Sequence, residues 1–299
     1  MRRGSLALLA AVSATVVLSG AALACSMCQC GDPTYRLLGD NLFGDRAWRL
    51  SADFDHLSKD QIAEDFPSGR EYESAYVLTA AASWAPLPRL RFVARLPFTS
   101  RAITDPAGTE TMLGVSDPDL FAHVNLFQRS GGISDWMALM VGVKTGWGQN
   151  ERTIDGERAD EHLQPGSGAT SLMTGLSYSI APNSASHWYA SAMARWNGTN
   201  AHDYRYGNMV AANLSYQHAL MAYATGTAEL NVRTSQKDLR SGGADPNTGG
   251  TVLYVTPKTS IRLTSTAALK LGVQIPVVQQ LFGDQREHVN LQTGITVTY

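Results

Sequence analysis

The segment 288–299, His-Val-Asn-Leu-Gln-Thr-Gly-Ile-Thr-Val-Thr-Tyr, constrains the fold more than any other stretch of the chain. Val289, Leu291, Thr293, Ile295, Val297 and Tyr299 fall on one face, and Asn290, Gln292, Gly294, Thr296 and Thr298 on the other. Side chains alternate across a strand with period two, so this reads as a strand with one apolar and one polar face. The same pattern recurs at 47–56, 72–84, 90–100, 118–128, 136–147, 171–180, 187–196, 208–218, 222–233, 251–263 and 267–277. In the first of these, Trp48, Leu50, Ala52 and Phe54 oppose Arg49, Ser51, Asp53 and Asp55. The chain is therefore expected to be all-β, with about twelve strands.

The links between these segments alternate in length. Those at 85–88, 129–134, 181–186, 219–220 and near 264 are short, whereas 57–71, 150–170 and 234–250 are longer and polar. A soluble sandwich gives no reason for such alternation, while a transmembrane barrel with tight turns at one end and long loops at the other requires it. Beyond residue 24 no run approaches the ~20 apolar residues of a spanning helix, so a membrane would be crossed by alternating strands. The expected fold is a transmembrane antiparallel up-and-down β-barrel with an even strand count. Trp48, Trp84, Trp147, Trp188, Trp196 and Tyr299 lie near strand ends, where amphipathic rings form interfacial girdles.

At the N-terminus, Arg2 and Arg3 precede an apolar stretch, and Ala22-Leu23-Ala24 has the small-x-small form of a cleavage site. This predicts a signal peptide at 1–24, a periplasmic cysteine-containing segment at 25–46 and a barrel at 47–299. The aromatic at the end of the last strand resembles the signal by which bacterial outer-membrane barrels are recognised for assembly. The resemblance implies the outer membrane of a Gram-negative bacterium, periplasmic termini, and membrane lipid and the barrel-assembly machinery as partners. A net charge of −2 and a pI near 6.4 leave no basic field for nucleic acid.

With the apolar faces outward, the polar faces line a lumen. Its expected residues are Arg49, Asp53, Asp55, Arg91, Arg95, His123, Lys144, Arg195, Glu229, Arg233, Lys258, Arg262 and Lys270, a mixed set with a basic excess. A basic lumen favours anions. Alternatively, the charges pair with one another and fill a narrow barrel.

Several motifs carry a resemblance: Gly114-Val-Ser-Asp117 before a strand, Val143-Lys-Thr-Gly146 closing one, Gly166-Ser-Gly168 leading into another, and Val273-Gln-Ile-Pro276 followed by Gln279 and Gly283-Asp-Gln285. In order and spacing the chain resembles the large family of outer-membrane transporter barrels grouped with proteins of phenol-degradation gene clusters. The resemblance implies a channel or transporter for a small solute and names no substrate.

The three cysteines, Cys25, Cys28 and Cys30, sit together in Cys-x-x-Cys-x-Cys. Three thiolates are suited to a soft metal ion such as Cu or Zn. Acylation of Cys25 and an idle thiol cluster are the other two readings. The alternative function is accordingly a plugged barrel that anchors this metal-binding or redox segment. No Gly-x-Ser-x-Gly or His-Glu-x-x-His spacing is present, so no enzyme is expected.

Overall fold

The computed structural model describes residues 48–63, 69–129 and 133–299. The signal peptide, the segment 25–46 and the three cysteines lie outside the described residues. Twelve long strands form one closed antiparallel barrel, and the described residues contain no helix. They are β1 (Trp48–Ile62), β2 (Arg70–Leu87), β3 (Leu90–Asp105), β4 (Asp119–Arg129), β5 (Ser134–Lys144) and β6 (Ser171–Ala181), then β7 (Ser186–Asn197), β8 (Met209–Met221), β9 (Ala224–Ser235), β10 (Gly250–Arg262), β11 (Ala267–Leu281) and β12 (Asn290–Thr298).

Each strand pairs with its neighbours in sequence. The ladder β1–β2 runs from Trp48↔Trp84 to Ile62↔Arg70. The seam joins β1 to β12 from Arg49↔Thr298 to His56↔Leu291, and the Tyr299 amide donates to the Trp48 carbonyl at 2.9 Å. Closure leaves no barrel strand with an unpaired edge, which a spanning sheet needs where water is absent.

The outer face is apolar in alternate positions. Leu50, Phe54, Leu78, Phe92, Leu120, Leu176, Leu214, Leu230 and Ile295 are exposed there. Aromatic residues border this belt as expected. Near the tight turns Trp48 stacks on Trp84 at 5.7 Å, Trp188 lies 4.6 Å from Tyr216, and Tyr299 is exposed. Trp147 and Trp196 are exposed at the opposite end.

One element departs from the sequence reading. β3 continues past the barrel rim to Asp105 and pairs with Gly108–Val115 to make a projecting hairpin arm. The Asp105 carboxylate accepts from the Ala107 and Gly108 amides at 2.8 and 3.0 Å. Asp-Pro-Ala-Gly is a turn sequence, so the arm was legible in the chain.

The inner face also differs from a uniformly polar lumen. Val77, Val93, Phe121, Trp136, Met140, Met173, Tyr189, Met193 and Met209 form one buried cluster on the inner faces of β2 to β8. This half of the barrel interior is packed. Across from it, Thr227, Lys258, Ser260, Lys270 and Gln292 on β9 to β12 are only partly covered and border open space. Alternation marks the inward residues but not which of them pack together.

Candidate functional site: a folded loop across a charged lumen

The segment 145–170, which joins β5 to β6, does not extend away from the barrel. Residues 161–167 are all buried. Both stems of this loop are pinned by one carboxylate, Asp117, in the turn before β4. It accepts from the Gly148 amide at 2.9 Å, the Ser167 amide at 2.8 Å and the Ser167 hydroxyl at 2.7 Å. Lys144 Nζ is 2.8 Å from it. Burial alone would push the Asp117 carboxyl up; the Lys144 charge and the bonds from Lys144 and Ser167 instead hold it below the usual carboxylate range.

Three motifs separated in sequence thus meet at one atom group: Asp117, Lys144 and Ser167. Their glycines permit close approach. A Cβ on Gly166 would stand 2.5 Å from the Gly148 carbonyl carbon, inside any allowed contact. The fourth motif serves the opposite side of the rim. The Gln279 side chain donates to the Glu287 carbonyl at 2.9 Å and accepts from its amide at 2.7 Å, and Gln285 donates to the carbonyls of Gly249 and Phe282 at 3.0 and 2.8 Å.

The loop tip reaches the far wall. His162 Nδ1 lies 3.7 Å from Glu73 on β2, and its Nε2 is 3.0 Å from the Tyr204 hydroxyl and 3.8 Å from Asp238. Arg101 on β3 donates to the His162 carbonyl at 3.0 Å. Glu73 also pairs with Lys59 at 2.6 Å. Burial would depress the His162 pKa, but the Glu73 bond and charge raise it to about 10. The tip is therefore an imidazolium clasped by two buried carboxylates. Leu163 beside it packs on Met112 of the arm and on Ala159.

The expected lumen residues are mostly where alternation placed them. Arg49, Asp53, Asp55, Arg91, His123, Lys144, Arg195, Glu229 and Arg233 are buried on the inner face. Arg95, Lys258 and Lys270 are partly covered there. Arg262 shares the inward phase of β10 but sits exposed at its end, beside the tight turn. The structure brings together Arg95 with Asp119 at 3.5 Å, Lys258 with Glu229 at 2.7 Å, and Arg233 with Glu287 and Tyr254.

The lumen side chains that the sequence reading missed are Lys59, Glu73, Arg101 and Glu287. Lys59 and Arg101 lie where β1 and β3 outrun their apolar stripes, so no alternation marked them. Among the described residues no cluster of three metal-ligating side chains occurs.

Above the loop lies a recess of about 450 Å³, whose walls include Glu71, Asp105, Glu110, Asp160 and Asp245 as well as His162 and Arg240. Carboxylates thus outnumber cations around this recess.

No protein-family profile and no curated protein matches the sequence. The crystal structure of an outer-membrane channel from Pseudomonas putida F1 superposes with a TM-score of 0.65 at 11% identity, covering 85% of this chain and 96% of that one. The fold is that of an outer-membrane barrel. The translocator domain of the autotransporter NalP from Neisseria meningitidis aligns with a TM-score of 0.49 at 9% identity, covering 87% of this chain and 90% of that one. The CymD monoaromatic hydrocarbon channel aligns with a TM-score of 0.43 at 10% identity, covering 94% of each chain.

Proposed function

We propose that this barrel is a channel for small solutes in the outer membrane of a Gram-negative bacterium, with its termini periplasmic. The observation that carries the proposal is the polar cavity against the inner wall of β9 to β12, toward the tight turns, inside a closed barrel whose outer face is apolar. A barrel that served only as an anchor gains nothing from leaving partly covered lysines and hydroxyls around an internal space. The barrel has no enzymatic role on this reading. Its partners are membrane lipid, the assembly machinery that inserts it, and the solute.

Lumen cations Arg49, Lys59, Arg91, Arg95, Arg101, Lys144, Arg195, Arg233, Lys258 and Lys270 outnumber the inward carboxylates Asp53, Asp55, Glu71, Glu73, Asp117, Asp119, Glu229 and Glu287. A net basic interior favours anions in the pore. The test is single-channel recording in a planar bilayer under a salt gradient. Steady conductance with a reversal potential on the anion side is expected. A folded barrel that carries no current overturns the proposal.

A second reading is favoured by the packed cluster around Phe121, Met140 and Met193: a plugged barrel that anchors the segment 25–46. On that reading Cys25, Cys28 and Cys30 would present thiolates to Cu or Zn. Elemental analysis of purified protein before and after reduction tests it, and metal at one equivalent is the result it requires.

A further inference from the structure

We infer that the cavity against the inner wall of β9 to β12 is a subsite for a small uncharged polyol; this deepens the channel reading above and rests on it. The cavity has a volume of about 110 Å³. Its charged lining consists of two carboxylates, Asp53 and Glu229, and two ammonium groups, Lys258 and Lys270, so it carries no net charge. These charges are already engaged. Lys258 pairs with Glu229 at 2.7 Å, the Ser51 hydroxyl donates to Asp53 at 3.1 Å, and Lys270 has a partner of its own. The Asp53 carboxylate lies over Gly294 and the Lys258 stem over Gly272. What is left to meet a solute is neutral.

The neutral groups are the side chains of Gln217, Thr225, Thr227, Ser260 and Gln292, all in the inward phase of their strands. Gln217 stands opposite Thr227, and Thr225 opposite Ser260; Gln292 begins the row that runs through Gly272 and Lys258 to Thr227. Opposed residues have Cβ atoms about 5 Å apart, and successive inward residues of one strand are about 7 Å apart. Hydrogen-bonding groups therefore follow one another in short steps along this wall. None of the five side chains has a hydrogen-bond partner among the described residues. Further from the tight turns the same strands behave differently. Thr256 donates to Asn231 at 2.5 Å, Asn231 to Asn213 at 2.9 Å, and Asn290 to Gln274 at 3.0 Å. The network of neutral bonds stops at the edge of the cavity, where three hydroxyls and two carboxamides converge with their bonds unmade. Each of these groups both donates and accepts. Their complement is a molecule that does both at closely spaced atoms, which is a chain of hydroxyls. A charged solute would enter a lining whose charges are already balanced and would lose its own hydration there. The cavity is smaller than the ~150 Å³ that holds a benzene-sized guest, so it suits a ligand of about six heavy atoms, the size of glycerol.

Glycerol, glycerate and propan-1-ol, all three-carbon molecules, separate the possibilities. Dissociation constants are measured by saturation-transfer-difference NMR at pH 7 on the barrel folded in a detergent without hydroxyl groups, and conductance is recorded on the same preparation. Glycerol is expected to bind about tenfold or more tighter than propan-1-ol, which lacks two of its hydroxyls, and tighter than glycerate, which carries a charge. The double variant Thr227→Val, Ser260→Ala removes two hydroxyls and touches no charge. It should weaken glycerol binding about tenfold and change propan-1-ol binding little. Heat-modifiable gel mobility checks that the variant is folded; if it is not, the ranking of the three solutes by the wild-type barrel decides. Equal affinity for glycerol and propan-1-ol, tighter binding of glycerate than of glycerol, or unchanged glycerol binding in the folded variant overturns the subsite. Conductance without glycerol binding removes the subsite and leaves the channel standing; glycerol binding without conductance removes the channel and leaves the subsite.

Discussion

Removing the Asp117 carboxylate should release the loop while leaving the barrel intact. In Asp117→Ala the amides of Gly148 and Ser167 and the Ser167 hydroxyl lose their acceptor, and Lys144 keeps a nearly buried charge with that partner gone. Breaking a buried ion pair from one side costs about 3–5 kcal/mol. The strand ladders do not pass through Asp117, so the cost falls on docking of the loop. At 1.4 kcal/mol per tenfold, the docked-to-undocked ratio falls roughly 100- to 4,000-fold. Hydrogen exchange of the segment 163–169, read by mass spectrometry on the folded barrel, should accelerate by at least the lower factor. Amides in β9 and β10 should be unaffected. Single-channel conductance should rise, because the segment that narrows the mouth is free to leave it. Asp117→Asn keeps an acceptor and should fall between. If Asp117→Ala leaves both exchange and conductance at wild-type values, the loop is held by other contacts and the reasoning fails.

Other expectations follow from the same structure. His162 has a pKa raised to about 10 from its ordinary 6.5, so the stability it gives the loop is full below about pH 6.5 and is lost as pH rises through about 10. Proton NMR of the imidazole should show that late titration, and His162→Gln should remove the alkaline dependence of loop exchange. Gly166→Val forces a side chain into the Gly148 backbone and should reproduce the Asp117→Ala phenotype in exchange and conductance. Leu214 faces outward near the middle of β8, so Leu214→Arg should cost about 2–4 kcal/mol in urea unfolding from lipid vesicles. An inward change at Ser215 should cost much less.

The barrel was legible in the sequence because its two physical requirements leave marks on every strand. A face that must be apolar and a face that need not be produce the period-two pattern, and Trp48, Trp84 and Trp188 mark where the strands end. The loop was not legible in the same way. Residues 145–170 show no period, and the contacts that fold them inward join Asp117 to Ser167 and His162 to Glu73, groups far apart along the chain. The glycine-rich motifs around Asp117, Lys144 and Ser167 signalled that something is held there, but not that they meet. The unequal filling of the lumen was hidden for a different reason. Phe121, Met140 and Met193 occupy inward positions like Lys258 and Lys270, and alternation says nothing of neighbours several strands away.

The seam between β1 and β12 has a consequence for how the molecule comes apart. A strand in an open sheet can fray from the edge by breaking one ladder. In a ring, any strand is held on both sides, so freeing it requires two ladders to open together. Backbone exchange around the circumference should therefore be slow and nearly even, with no gradient from β1 to β12. Regions that exchange quickly should be the projecting arm and the loops other than the docked segment 145–170, which lie outside the ring. The barrel opens as a whole or not at all, and motion is confined to what is attached to its rim.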